Sequence, residues 1–294
     1  MSADGLHRGV CTRRKPMKVA DPYELTETRH GVMLVNRNDV YMGQALLLYG
    51  ECSELESRFI LSLLRNPGLV IEVGANMGVH TVPMARSLAG QGRNMLVFEP
   101  QPVIFQQLCA NLALNGLMNV RAFPYACGRE NGQVTFEIPD YRSTGNFGGT
   151  GMSEGAGAPD ARRETVQCVR VDDLAPEGQV GLIKVDVEGF EQQVLEGCEG
   201  ILARCRPLLY VENDRLENSA SLIQWLFDHD YRLWWHMPPL FNPENFRGVR
   251  QNGYPGVISM NMLGVHKSIA IPLGGMVEIV DAHEDPLHRQ PSGS

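Results

Sequence analysis

A chain of 294 residues that is 43% hydrophobic has material for one large core or two small ones, and it belongs with soluble globular proteins. With 26 Lys and Arg against 34 Asp and Glu, the net charge of −8 gives no long-range attraction to nucleic acid or an anionic membrane, and no stretch approaches the ~20 apolar residues of a membrane span. Seven scattered cysteines without a CxxC pair read as reduced core thiols, so a cytoplasmic protein is expected, without a disulfide frame or zinc site.

The basic start "HRGVCTRRKPMK" leads into no apolar run, so a disordered beginning is expected rather than a secretory signal. The stretch "HGVMLVNRNDVYMGQALLLYG" reads as a strand-rich lead-in that completes an N-terminal extension over residues 1–52. Ser53 and Glu56 have capping-box spacing ahead of the helix "ELESRFILSLLR", whose Leu55, Phe59, Leu63 and Leu64 share one face. Then come "LVIEVG", a helix from about His80, "NMLVFEP", the helix "VIFQQLCANLALNG" and a strand around "VRAFPYA". That order is half of a doubly wound sheet. A hairpin-like "GQVTFEIPDY" enters a flexible glycine-rich insertion at 142–164, either an active-site flap or a surface insertion. The strand "GLIKVDVEGFE", the strand "PLLYVEND", the helix "SLIQWLFDHD" and a closing antiparallel pair, "YRLWWHM" and "VISMNMLGVHK", follow. The expectation is an α/β domain over 53–272 with seven mostly parallel strands, and a C-terminal tail over 273–294 that is disordered after about Asp281.

A strand, a glycine turn and a helix start present unpaired amides and a positive dipole end, which suit carboxylates and phosphates. Here the turn runs Glu72, Val73, Gly74, Ala75, Asn76, Met77, Gly78, with Asn in place of the middle glycine of the GxGxxG pattern and an acid before it. A carboxylate there would repel a pyrophosphate and suit an ammonium or sulfonium group. Glu99 ends the second strand 21 residues beyond Gly78, the separation at which an acid accepts hydrogen bonds from a ribose diol. S-adenosylmethionine has a ribose, an amine, a carboxylate and a sulfonium, and no phosphate. Cofactor contacts are therefore expected from Glu72, Gly74, Ala75, Asn76, Met77, Gly78, His80, Glu99 and Pro100, with Tyr125, Ala126 and Asp186 at later strand ends.

The stretches "VIEVGANMGVHT", "VFEPQP" and "LIKVDVEGFE", with "YGECSELE" upstream, resemble the FkbM family of S-adenosylmethionine-dependent methyltransferases over about residues 45–270. That family often has Asp where this chain has Glu72, which keeps the charge. The resemblance implies a class I methyltransferase fold, helices on both faces of the sheet, and O-methylation of a small molecule or sugar, without naming an acceptor.

Asp186 ends an apolar run, where an unpartnered acid is costly, so it is expected to touch cofactor or substrate. Glu188, Glu212 and His236 are further candidates for a base. Glu188 and Glu191 also lie where acids stabilise a helix start, and His236 in "LWWHMPP" is equally a packing residue. A divalent ion on Asp186, Glu212 and Asp214 is chemically possible, but nothing in the spacing demands one, and no metal is expected. The alternatives are a nicotinamide-dependent oxidoreductase and a non-catalytic binding protein on the same fold. "DVEG" in place of a base-clamping motif speaks against a nucleic-acid methyltransferase. The expected partner is a small-molecule or carbohydrate acceptor, and the oligomeric state is left open, a homodimer included.

Overall fold

Alternate residues of the run Leu69–Val73 face different layers of helices, and that alternation organises the centre of the molecule. The computed structural model describes residues 19–149, 162–271, 273–284 and 286–287. The chain opens with β1 (Tyr23–Thr28), β2 (Gly31–Asn36), α1 (Met42–Tyr49) and α2 (Glu54–Leu63). Then come β3 (Leu69–Val73), α3 (Thr81–Ala89), β4 (Met95–Phe98), α4 (Pro102–Leu114), β5 (Val120–Phe123), β6 (Ala126–Cys127) and β7 (Gly132–Glu137). After the glycine-rich segment follow β8 (Arg163–Val169), α5 (Val171–Leu174), β9 (Val180–Val185), α6 (Glu191–Glu196) and α7 (Glu199–Cys205). The last elements are β10 (Leu208–Glu212), α8 (Leu216–Asp228), β11 (Tyr231–His236), β12 (Asn261–His266) and β13 (Glu278–Ile279).

The main sheet has the order β5-β4-β3-β9-β10-β12-β11-β13. β5, β4, β3, β9 and β10 run parallel, and β12, β11 and β13 are added antiparallel, with β12 inserted between β10 and β11. This is the class I methyltransferase arrangement, with the two-residue β13 as an extra edge strand. Ile71, Val73, Phe98, Ile183 and Val185 form one core with Val194, Ile201 and Leu222 of α6 to α8. Val70, Val97, Leu182 and Tyr210 form the other with Ile60, Met84, Leu88 and Leu108 of α2 to α4. Each such side chain contributes roughly 1.5–3 kcal/mol on burial. The order reverses between β3 and β9, so the crevice for a ligand lies beyond the carboxyl ends of β3, β4 and β9.

Several local expectations are corrected. Only the first part of the lead-in is strand, because "MGQALLLY" packs as α1 through Ala45, Leu46 and Tyr49 against Met33 and Val35. Ser53 does precede α2, but its left-handed backbone (φ 47°) leaves it without a side-chain capping bond, and Glu56 is buried instead of reaching back. The buried face of α2 carries Glu56, Ser57, Ile60 and Leu63, with Leu55 and Phe59 at its margin. The segment after residue 272 joins the sheet edge through β13 on β11. The basic start, residues 150–161 of the insertion and residues 288–294 lie outside the described residues. The cysteines among the described residues are free, and all but Cys109 are buried. No helix among those residues is long and apolar enough to cross a membrane.

Where β3 turns into the crevice, Gly74 has φ +84°, and an added Cβ would sit 1.8 Å from the Asp186 carbonyl oxygen. Gly74→Ala should therefore cost about 3 kcal/mol or more in urea unfolding. Gly92→Ala, at φ +66° with nothing within 4 Å of the new Cβ, should cost about 1–2 kcal/mol.

Candidate active site

The turn after β3 is fastened to β4: the Gly74 and Ala75 amides donate to the Phe98 carbonyl at 2.9 and 3.0 Å. Asn76 then takes a left-handed conformation, which aims its amide at Glu99 Oε2 (2.9 Å), while the Gln101 amide donates to Glu99 Oε1 (2.9 Å). Burial pushes Glu99 up to about 7 against these two donors. Each carboxylate oxygen keeps a further lone pair for a ligand. Glu99 lines a cavity of about 680 Å³ together with Gly74, Asn76, Pro100, Tyr125, Ala126, Asp186 and Glu188. Among the described residues no Lys or Arg lines it.

Behind this cavity lies a buried charge cluster. Glu72 and Lys184 are cross-strand partners in the β3–β9 register, and each has only 1% of its side chain exposed. Lys184 Nζ lies 2.9 Å from Asp186 Oδ2 and 3.8 Å from Glu72 Oε1, and the Thr81 hydroxyl donates to Glu72 Oε2 at 2.6 Å. Burial alone would lower the lysine, but Asp186, Glu72 and Glu56 outweigh it and hold Lys184 above its usual range. Asp186 is half-buried, and desolvation would raise it, yet Lys184 keeps it below the usual carboxylate range. Glu72 is pushed up to about 7 by burial, with Lys184 and Thr81 opposing. Beyond Asp186, Glu212 is raised far above an ordinary carboxylate by burial and then by Asp186 and Glu188. Glu188 is raised to about 7 by burial and Asp186, against its ion pair with Arg215.

Asp186 and Glu188 also line a second cavity of about 710 Å³ with Tyr41, Met42, Glu56, His80, Asn146, Gly148, Glu212, Ser259 and Asn261. The two cavities share Met42, Gly148, Asp186 and Glu188 as a common wall. His80 is buried, bonded through Nδ1 to the Ser57 hydroxyl (3.0 Å), and pushed down to about 3, so its ring is neutral. The start of the glycine-rich segment is packed at this wall: Phe147 is fully buried, its carbonyl accepts from Gln101 Nε2, and Gly145 pairs with Asn38 and Val40 of the N-terminal extension.

The profile of the Methyltransferase FkbM domain matches residues 72–233, more than half of the chain. This chain belongs to the FkbM methyltransferase family. Among relatives, the hexuronic acid methyltransferase AglP of Haloferax volcanii is 26% identical over 148 residues, 49% of this chain and 56% of AglP. The methyltransferase sdnD of Sordaria araneosa is 28% identical over 53% of this chain and 70% of its own. Methyltransferase 1 of Beauveria bassiana is 30% identical over 44% and 58%. The match thus spans little more than half the length of AglP and of Methyltransferase 1.

In this FkbM domain the expected residues divide. Gly74, Asn76, Glu99, Pro100, Tyr125, Ala126 and Asp186 line the first cavity, whereas His80 and Glu212 line the second. Glu72, Ala75, Met77 and Gly78 line neither. The register pairs Glu72 with Lys184 behind the cavities; Ala75 and Met77 are core, and Gly78 packs on Leu108. His236 is not brought to Asp186, because it is held by the Tyr210 hydroxyl (2.8 Å), stacks on Phe59 and faces a different pocket. Glu191 turns back onto the Val187 and Gly189 amides at its helix start. Oxygens of Asp186, Glu188 and Glu212 lie within 4.8 Å of one another, while Asp214 turns to Arg215. Glu56, Lys184, Tyr41 and Ser259 were missed. Only the Lys in "KVDVEG" carried a signal, a cation two residues before an acid on one strand face.

The cluster predicts a pH-dependent cost of removing Lys184. Glu72, raised from 4.5 to about 7, contributes stability that is full below about 4.5 and lost as pH rises through about 7. Lys184→Met removes the cation that opposes this loss, so urea unfolding should show a loss of about 3–5 kcal/mol at pH 8 and a clearly smaller one at pH 5, where the acids can take up protons.

Proposed function

We propose that this chain is an S-adenosylmethionine-dependent methyltransferase acting on a hydroxyl of a small molecule or sugar. The observation that carries the reading is a cavity at the ends of β3, β4 and β9 that presents Glu99 and, among the described residues, no Lys or Arg, and that shares its Asp186 wall with a second polar cavity. Glu99 would accept both hydroxyls of the ribose, with the Gly74–Asn76 backbone beside it and Pro100, Tyr125, Ala126 and Phe136 walling the end suited to a flat base. A pyrophosphate would face Glu99, Asp186 and Glu188 without a Lys or Arg among the described lining residues, which disfavours the nicotinamide alternative. The name of AglP supports a sugar-like acceptor.

When bound, the cofactor supplies an electrophilic methyl on a sulfonium. The acceptor oxygen would form a bond to that methyl as the bond to sulfur breaks, and the hydroxyl proton would pass to a carboxylate oxygen of the shared wall. Asp186, held below the usual carboxylate range by Lys184, is the proposed proton acceptor or orienter; Glu212 and Glu188, both raised by burial and by Asp186, are its carboxyl neighbours. Alignment in such a site supplies up to about 7–11 kcal/mol and a positioned base about 10²- to 10⁴-fold in rate.

Calorimetry should show binding of S-adenosylhomocysteine and none of NAD; the reverse result removes the proposal. Glu99→Ala should weaken S-adenosylhomocysteine binding roughly 10- to 100-fold. Asp186→Asn should lower kcat far more than cofactor affinity once an acceptor is found, and full kcat would show that Asp186 takes no proton.

A further inference from the structure

The second cavity carries information about what can enter it. Its carboxylates come from three parts of the chain: Glu56 on α2, Asp186 and Glu188 beyond β9, and Glu212 at the end of β10. Among the described residues no Lys or Arg lines it. Lys184 lies behind Asp186 with 1% exposure, and Arg215 is turned to Glu188 and Asp214 and lines a separate polar pocket with Gly189 and Asn218. The ring of His80, the remaining basic group on the lining, is neutral.

A cofactor sulfonium in the first cavity would bring one positive charge to the wall with Asp186. Glu56 lies on the lining of the second cavity alone, and it is 3% exposed beside His80 at 3.5 Å. A carboxylate ligand here would meet the ionised Asp186 and three further carboxyl groups that burial already disfavours as anions, the kind of juxtaposition that proteins use to exclude partners, whereas a cation would favour their ionised forms.

We infer that the acceptor is a hydroxylated molecule with a protonated amine beside the accepting hydroxyl, of the amino-sugar or amino-polyol class, and that carboxylate acceptors are rejected. The inference rests on the methyltransferase reading. The amine pairs with the cavity carboxylates, which holds it protonated and removes its nucleophilic lone pair. The methyl group then goes to the neighbouring oxygen, whose proton leaves to a wall carboxylate.

The test uses the full chain saturated with S-adenosylhomocysteine, at pH 7 and low salt with EDTA, and calorimetry with glucosamine, glucose, N-acetylglucosamine and glucuronic acid. Glucosamine should bind at least about 10-fold more tightly than glucose or N-acetylglucosamine, the factor of one charge pair near a protein surface, and glucuronic acid should not bind. Glu56→Gln should erase most of the glucosamine preference while leaving S-adenosylhomocysteine affinity unchanged; if that variant does not fold, raising NaCl should narrow the glucosamine preference of the unaltered chain, and a preference indifferent to salt overturns the inference. Absence of saturable glucosamine binding, or glucuronic acid bound as tightly, overturns the inference. Glucuronic acid that binds only when Mg²⁺ replaces EDTA also overturns it, since a metal ion would then balance the charge. Failure to bind S-adenosylhomocysteine overturns the methyltransferase reading together with this inference, whereas cofactor binding with a preference for glucuronic acid overturns this inference alone.

Discussion

A lysine with 1% of its side chain exposed must be surrounded by negative charge or lose its proton, and Lys184 is surrounded. Moving an ammonium out of water costs several kcal/mol even after relaxation, and one partner rarely repays it. Here Glu72 from β3 and Asp186 from the end of β9 share the task, with Glu56 from α2 in the same field. The pairing therefore joins two central strands and the helix layer above them. It also fixes where the Asp186 carboxylate stands, and Asp186 is the wall on which the two cavities meet. An apolar pair at 72 and 184 could support the same strands, but it would leave that carboxylate without its counter-ion.

Much of this was legible in the sequence, and the reasons are local. Apolar runs, glycine turns and acid-ended strands report on residues within a few positions, so the parallel core, the Gly74 turn and the placing of Glu99 and Asp186 at strand ends that line a cavity could be read directly. Glu72 could not be assigned, because its partner is 112 positions away and only the β3–β9 register brings the two together. Glu56 has the spacing of a cap from Ser53, yet the left-handed backbone at Ser53 breaks that geometry. His236 lies at a strand end, as a site residue should, but that end belongs to an antiparallel strand whose neighbours are Phe59 and Tyr210.

The cavities also differ in the kind of chain that makes them. The first is built mainly from strand ends and the turns next to them, so sheet hydrogen bonds hold its geometry. The second takes its roof from Tyr41 and Met42 beside α1 and from Leu240, Val257 and Ser259 in the long connection between β11 and β12. These two segments are fastened to each other: the Gly253 amide donates to the Tyr49 hydroxyl, which itself donates to the Gln251 carbonyl, and Asn242 bonds Glu51, which also pairs with Arg29.

That fastening divides inheritance within the domain. A change confined to residues near 40–52 strands its partners near 240–257, so those two stretches are constrained to drift as a pair. The strand ends around Gly74 and Glu99 take no part in those bonds. A lineage could thus exchange its roof as a unit and keep the floor unaltered, which gives a physical route by which one scaffold diversifies at one face without renegotiating the other.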